Sequence, residues 1–186
     1  MTQSINYNEV VLVDSFDNVL GAMEKLEAHE RGVLHRAFSV FLFNDEGEML
    51  IQKRADSKYH SAGLWSNSCC SHPAPNESLE EAAERRLMEE LSLKAVVQPV
   101  FSFEYKVIFE NHLIENELDH VLVGKSNELG WLNPAEVSEL KFITVPELNK
   151  EIENHPEQFS AWFKLIMLNH WEKISTNLEQ HKFQKA

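Results

Sequence analysis

The stretch Asn67-Ser68-Cys69-Cys70-Ser71-His72-Pro73 sets a thiol two residues from an imidazole. A charged segment follows at once, carrying Glu77, Arg85, Arg86, Glu89 and Glu90. Thiolate, neutral imidazole and carboxylate are the groups that hold divalent ions and move protons. Their concentration within about twenty residues reads as a metal-assisted active site. Further along, Glu115-Asn116-Glu117 supplies another carboxylate pair. On a strand, alternation puts both carboxylates on one face, roughly 7 Å apart along the chain.

These groups need elements to position them. Glu9 to Val13 and Val19-Leu20 read as short strands around an Asp-Ser-Phe-Asp-Asn turn. His35 to Phe43, the turn Asn44-Asp45-Glu46-Gly47 and Met49 to Gln52 carry a hairpin signature. One face of the first strand holds Phe38, Val40 and Leu42; the other holds His35, Ala37 and Ser39. Residues 57–76 read as a long functional loop. Asn76 is the expected N-cap of a helix that runs to about Leu91. Its buried stripe is Leu79, Ala82, Ala83, Leu87 and Leu91. Glu81 with Arg85, Arg85 with Glu89, and Arg86 with Glu90 are expected to pair on its exposed side. Lys94 to Phe109, Leu113 to Gly124 and Leu140 to Ile143 read as strands. A helix follows Pro146, and another spans about Gln158 to Trp171. The order suggests one α/β (α+β) domain over residues 1–186, an α/β/α sandwich with a mixed sheet.

The balance of charge narrows the partners. The chain has 186 residues and a formal net charge of −13. Nucleic-acid backbones call for clustered Lys and Arg, so none is expected as a partner. An anionic small molecule would have to find local cations or a metal ion. Two adjacent cysteines cannot staple distant segments, so a disulfide framework is not expected. The longest apolar run, around Ala37 to Phe43, is too short to span a bilayer. No secretory leader opens the sequence, and the expectation is a cytoplasmic protein that uses no membrane.

The helix after Ser71 is similar to the Nudix box. Glu77, Arg85, Leu87, Glu89, Glu90 and Leu93 fall on its pattern. Ser71 and Ser92 replace its glycines, and Arg86 replaces a Glu of its metal-binding group. That replacement reverses the local charge, so the position would attract an anion such as a diphosphate. With the thiol, these departures resemble type I isopentenyl-diphosphate isomerases, which have the Nudix fold. The likeness runs from about Glu9 to Trp171. It is carried by His35-Arg36-Ala37-Phe38-Ser39, Trp65 to Pro73, Glu115-Asn116-Glu117 and Phe159-Ser160-Ala161-Trp162.

The resemblance implies interconversion of isopentenyl and dimethylallyl diphosphate, an allylic rearrangement of isoprenoid biosynthesis. It implies a divalent ion, Mn²⁺, Zn²⁺ or Mg²⁺, on His29, His35, His72, Glu115 and Glu117. His29 and His35 are six residues apart here, where some members have seven. It further implies Glu117 as proton donor with Tyr105 as relay, Cys70 as the thiolate that accepts a proton, and Trp162 as the π face for a carbocation. Cys69 falls one position before the motif thiol and reads as a small buried hydrophobe. Lys25, Arg54, Lys58 and Arg86 match the basic contacts to the diphosphate. Glu90 matches the ligand of a Mg²⁺ carried with it. His60, His112, His120, His155, His170 and His181 are expected to be surface or core residues. The rival readings are a Nudix pyrophosphohydrolase, which would need the replaced Glu, and a non-catalytic domain with a structural metal.

Overall fold

The computed structural model describes residues 5–180; His181 and the rest of the tail lie outside them. β1 (Glu9–Val13) and β2 (Val19–Glu24) pair antiparallel. Asp14 ties their turn, its Oδ1 accepting from the N–H groups of Phe16 and Asn18. β2 leads directly into α1 (Lys25–Arg31), a two-turn helix too short to show a hydrophobic period in the sequence. It ends at Gly32 in the left-handed conformation, where an added Cβ would meet Ile114 at 3.0 Å. The C-terminal turn of α1 is thereby set beside the start of β3 (His35–Phe43).

β3 and β4 (Met49–Arg54) form the expected hairpin only at its base, through Leu42–Leu50 and Phe43–Met49. Beyond that the strands part, and residues of the expected long loop fill the wedge. β5 (Trp65–Ser66) pairs with β4, and β6 (Cys69–Ser71) pairs with β3. Between them the buried Ser68 hydroxyl donates to Leu50 O at 2.6 Å and accepts from Leu42 N–H at 2.8 Å. One side chain thus satisfies a backbone group on each parting strand.

α2 (Leu79–Leu91) starts at Ser78 rather than at Asn76. Ser78 and Glu81 form a reciprocal capping box, which Asn76 stands too early to make. The expected stripe is confirmed: Ala82, Ala83, Leu87 and Leu91 are fully buried, with Leu79 packed at its edge. Two of the three expected ion pairs form. The third does not, because Glu81 is engaged in the cap and Arg85 turns back to Glu77 at 2.7 Å. Glu90 is not on the exposed side either; it is 3% exposed. The helix closes at Ser92 in the left-handed conformation that the family's glycine would adopt more readily. Ser71, at the other glycine position, lies in a strand, where a side chain is no burden.

β7 (Val97–Ile108) and β8 (Ile114–Lys125) form a long antiparallel pair. β8 also runs parallel to the whole length of β3, and β9 (Val137–Ile143) pairs with β4. α3 (Val145–Asn154), α4 (Ala161–Asn169) and α5 (Trp171–Gln180) follow. The expected helix over 158–171 therefore ends earlier, at the non-helical His170, and another begins. The described residues form a nine-stranded mixed sheet between two helical layers. α2 covers the face with Phe38, Val40 and Leu42. Phe163, Ile166, Met167 and Ile174 cover the face with Phe41 and Phe43. No helix among the described residues is long and apolar enough to cross a membrane.

Candidate active site

The parallel pairing of β3 with β8 sets His35 beside Glu117. The alternation of β8 puts Glu115, Glu117 and Asp119 on one face, and Tyr105 lies opposite Glu117 on β7. His29 enters from the last turn of α1, and His72 follows β6. His29 Nδ1 is 2.6 Å from Lys25 O, and His35 Nδ1 is 2.8 Å from Val33 O. A carbonyl can only accept, so each ring carries its proton on Nδ1 and keeps a lone pair on Nε2. Both Nε2 atoms are buried without a hydrogen-bond partner. Glu117 Oε1 is 2.8 Å from His72 Nε2 and 3.5 Å from His35 Nε2. Ligand atoms of His29, His35, His72 and Glu117 all lie within 4.8 Å of one another. Buried lone pairs without donors are costly, and a divalent cation is the partner this donor set suits.

Glu115 stands next to that group rather than in it. With His29 and His60 it makes a second cluster of possible ligands. Tyr105 joins the carboxylates, donating to Glu117 Oε2 at 2.5 Å and lying 2.9 Å from Glu115 Oε2. His60, expected to be a bystander, is buried in the site. Its Nε2 is 3.3 Å from Glu115 Oε1, and its ring stacks on Phe109 at 4.9 Å. No periodicity marks His60 in the sequence, since it sits in the irregular segment after β4.

Burial dominates the electrostatics. It pushes Glu115 well up, helped by the charge on Glu117. Glu117 is as deeply buried, but the adjoining His35 and His72 rings hold it low. Burial also takes His72 down to about 3 and His60 down to about 2, with Arg54 adding to the effect on His60. Both imidazoles are therefore neutral, the form that binds metal. Burial and the Glu115 and Glu117 charges raise Tyr105.

The two cysteines separate by strand alternation. Cys69 lies opposite Val40 and is fully buried in the core under α2. Cys70 lies opposite Ser39 and lines a cavity with Tyr105, Glu115, Glu117 and Trp162. Burial pushes Cys70 up to about 12, with Arg54 opposing from 3.8 Å. Burial therefore favours the thiol of Cys70, and the Arg54 guanidinium favours the thiolate. Trp162 is fixed by its indole N–H, which donates to Asn67 Oδ1 at 3.2 Å. The Asn67 amide donates in turn to Val40 O and Cys69 O. Asn67, a motif residue with no role assigned from the sequence, therefore clamps Trp162 to β3 and β6. The Arg54 guanidinium lies 5.2 Å over the Trp162 ring.

Lys25, Arg54, Lys58 and Arg86 line the same cavity. Burial, then the charges of Lys58 and Arg86, lowers Lys25. Arg86 is held by carboxylates: Glu90 at 2.5 Å, Glu89 at 2.7 Å and Glu136 at 3.2 Å. Lys58 pairs with the same Glu136 oxygen. Glu90 stands outside the metal groups, its oxygens occupied by Arg86 and by Gln52 at 3.1 Å.

The NUDIX domain family matches residues 33–163 of this chain. Isopentenyl-diphosphate Delta-isomerase of Pectobacterium atrosepticum is 49% identical over 171 residues, 90% of this chain and 96% of the relative. Isopentenyl-diphosphate Delta-isomerase 2 of Photorhabdus laumondii is 44% identical, over 89% of this chain and 97% of the relative. A crystal structure of a Deinococcus radiodurans protein superposes with a TM-score of 0.65 at 24% identity. It covers 79% of this chain and 90% of that one, and it supports the fold.

Proposed function

The chain belongs to the isopentenyl-diphosphate Delta-isomerases of the NUDIX family, and from that premise we propose how its cavity converts isopentenyl diphosphate to dimethylallyl diphosphate. An unactivated alkene is a weak base, so the reaction needs a positioned acid on one face and a base on the other. Glu117 delivers to the alkene a proton relayed through the Tyr105 hydroxyl, which donates to its Oε2. The tertiary cation that results is stabilised by the ring of Trp162. Cys70 removes a proton as the thiolate, which Arg54 stabilises across the short gap to Sγ. The neutral thiol that burial favours is then the form made when the proton is taken.

His29, His35, His72 and Glu117 would hold the divalent ion, with Glu115 joining them through a small shift of its side chain. Mn²⁺, Zn²⁺ and Mg²⁺ all suit imidazole and carboxylate to differing degrees. Such an ion supplies fixed positive charge that orients the Glu117 carboxylate and sets its acidity. Lys25, Lys58 and Arg86 would hold the diphosphate, and Glu90 would be the ligand for Mg²⁺ carried with it. All these groups belong to a single domain in a cytoplasmic protein.

The observation that carries the reading is the shared cavity. Cys70, the Tyr105–Glu117 pair and Trp162 line one space together with Lys25, Arg54, Lys58 and Arg86. The rival hydrolase needs a carboxylate where Arg86 stands. Incubation with isopentenyl diphosphate and Mg²⁺ separates the readings. Rearranged five-carbon product supports isomerisation; phosphate release without rearrangement supports hydrolysis; no change supports a non-catalytic domain.

A further inference from the structure

Glu136 has no counterpart in the chemistry described so far, yet it touches two of the diphosphate-binding cations. One carboxylate oxygen pairs with Lys58 Nζ and lies 3.2 Å from Arg86 Nη2. Its placement is built by the backbone. Asn133 N–H donates to Glu90 O at 2.8 Å, and the Asn133 amide group reaches Glu89 O at 3.3 Å. That fixes the turn before β9 onto the C-terminal end of α2, the helix that carries Arg86. Glu136 N–H closes the turn on Asn133 O at 2.9 Å, and Ala55 N–H donates to Glu136 O at 3.0 Å. The same turn is thus tied to the end of β4, just before Lys58. The carboxylate is held between two elements that each supply a cation, and only about a quarter of its side chain is exposed.

We propose that Glu136 is an internal stand-in for the substrate's diphosphate, pairing Lys58 and Arg86 and competing with the incoming anion for both. This rests on the reading that a diphosphate binds at this rim. Lys25, Lys58 and Arg86 repel one another, and of these three Glu89 and Glu90 pair only with Arg86. One carboxylate relieves that repulsion but must give way, or tolerate a like charge beside it, when phosphate oxygens arrive. A residue that merely supported the cations would act the other way, since its loss would weaken anion binding. The direction of the effect therefore identifies the role.

The test is calorimetric titration of the full chain with inorganic pyrophosphate at fixed Mg²⁺. Glu136→Gln removes the charge at constant shape, and pyrophosphate should bind roughly tenfold more tightly, the combined worth of two partly exposed ion pairs. Equal or weaker binding by a Glu136→Gln variant with a native circular dichroism spectrum overturns the proposal, as does absence of binding to both proteins. If that variant does not fold, Glu136→Asp is read by the same titration. Its retracted carboxylate should give an intermediate gain, and unchanged affinity there also overturns the proposal. Failure of the isomerase reading would show separately, as absence of five-carbon rearrangement by the unmodified protein, and would leave the titration standing.

Discussion

The His/Glu end and the cationic end of the site are prepared in opposite ways. At the His/Glu end, His29 and His35 have spent their Nδ1 protons on backbone carbonyls and keep buried Nε2 lone pairs with no partner. At the cationic end, Lys58 and Arg86 already have carboxylate partners in Glu136, Glu89 and Glu90. One end is unsaturated and built on paired strands; the other is internally neutralised and built on a helix and a turn. Such an arrangement suits a site that keeps a cation and exchanges an anion. A resident ion needs a preformed cage, whereas a substrate that must leave is better met by groups that can return to partners of their own.

The largest effect should come from the reacting groups between these ends. Cys70→Ala is expected to lower isomerase turnover by about a thousandfold or more, at the upper end of general acid–base contributions. Cys69→Ala should keep most of the activity, because its thiol faces the α2 core. An inactive Cys69→Ala beside an active Cys70→Ala would break the strand register on which the site is built.

Next in size is the unsaturated end. Purified protein should hold about one divalent ion per chain in elemental analysis, as one set of converging ligands implies. His72→Ala and His35→Ala should each lose it. Chelation of the unmodified protein should lower its Tm, since an ion bound only by the folded state stabilises it. Full metal occupancy in both variants would remove the cage from the account.

At the neutralised end the effect is smaller and falls on binding. Arg86→Glu sets a like charge against the diphosphate and removes charge-assisted hydrogen bonds of about 1.5–3 kcal/mol, so KM should rise at least about tenfold. A KM within twofold of the unmodified enzyme would place the diphosphate elsewhere.

The smallest effect is one of stability, beneath the His/Glu end. Burial and the charge on Glu117 push Asp119 up to about 8, against a hydrogen bond from Ser39. The folded state then binds a proton that the unfolded state has released above about pH 4. This group's stabilisation is full below that pH and is lost as pH rises through 8. In metal-stripped protein, stability between pH 7 and 8 should fall by up to about 1.4 kcal/mol per pH unit. Histidines contribute little in that window, because the buried ones are neutral and unfolded ones have mostly lost their protons. Denaturant titrations of Asp119→Asn should show a flatter profile; an unchanged slope would assign the proton to another group.

Much of this molecule can be read from its sequence, and the limits are physical. Long elements with a clear period, such as β3, α2, β7 and β8, were legible within a few residues. Alternation alone put Glu115 and Glu117 on one face. What escaped depends on contacts distant along the chain. β5 and β6 are too short to show a period, and they exist because β3 and β4 part around Ser68. Asn76 lost the cap to Ser78 because a reciprocal partner at Glu81 outweighs a lone Asn. His60, Asn67 and Glu136 carry no local signal; tertiary packing alone brings them to Glu115, Trp162 and Arg86.

Isomerisation in this cavity moves protons at carbon and leaves the phosphorus–oxygen bonds intact. The direct measurement is NMR of isopentenyl diphosphate incubated with the metal-loaded protein in D₂O, with parallel assay of phosphate and diphosphate. The account predicts deuterium in the five-carbon products and no phosphate or diphosphate release, because one proton arrives from solvent and another leaves to it. Metal-dependent release of phosphate or diphosphate, with no deuterium in the five-carbon pool, would contradict it.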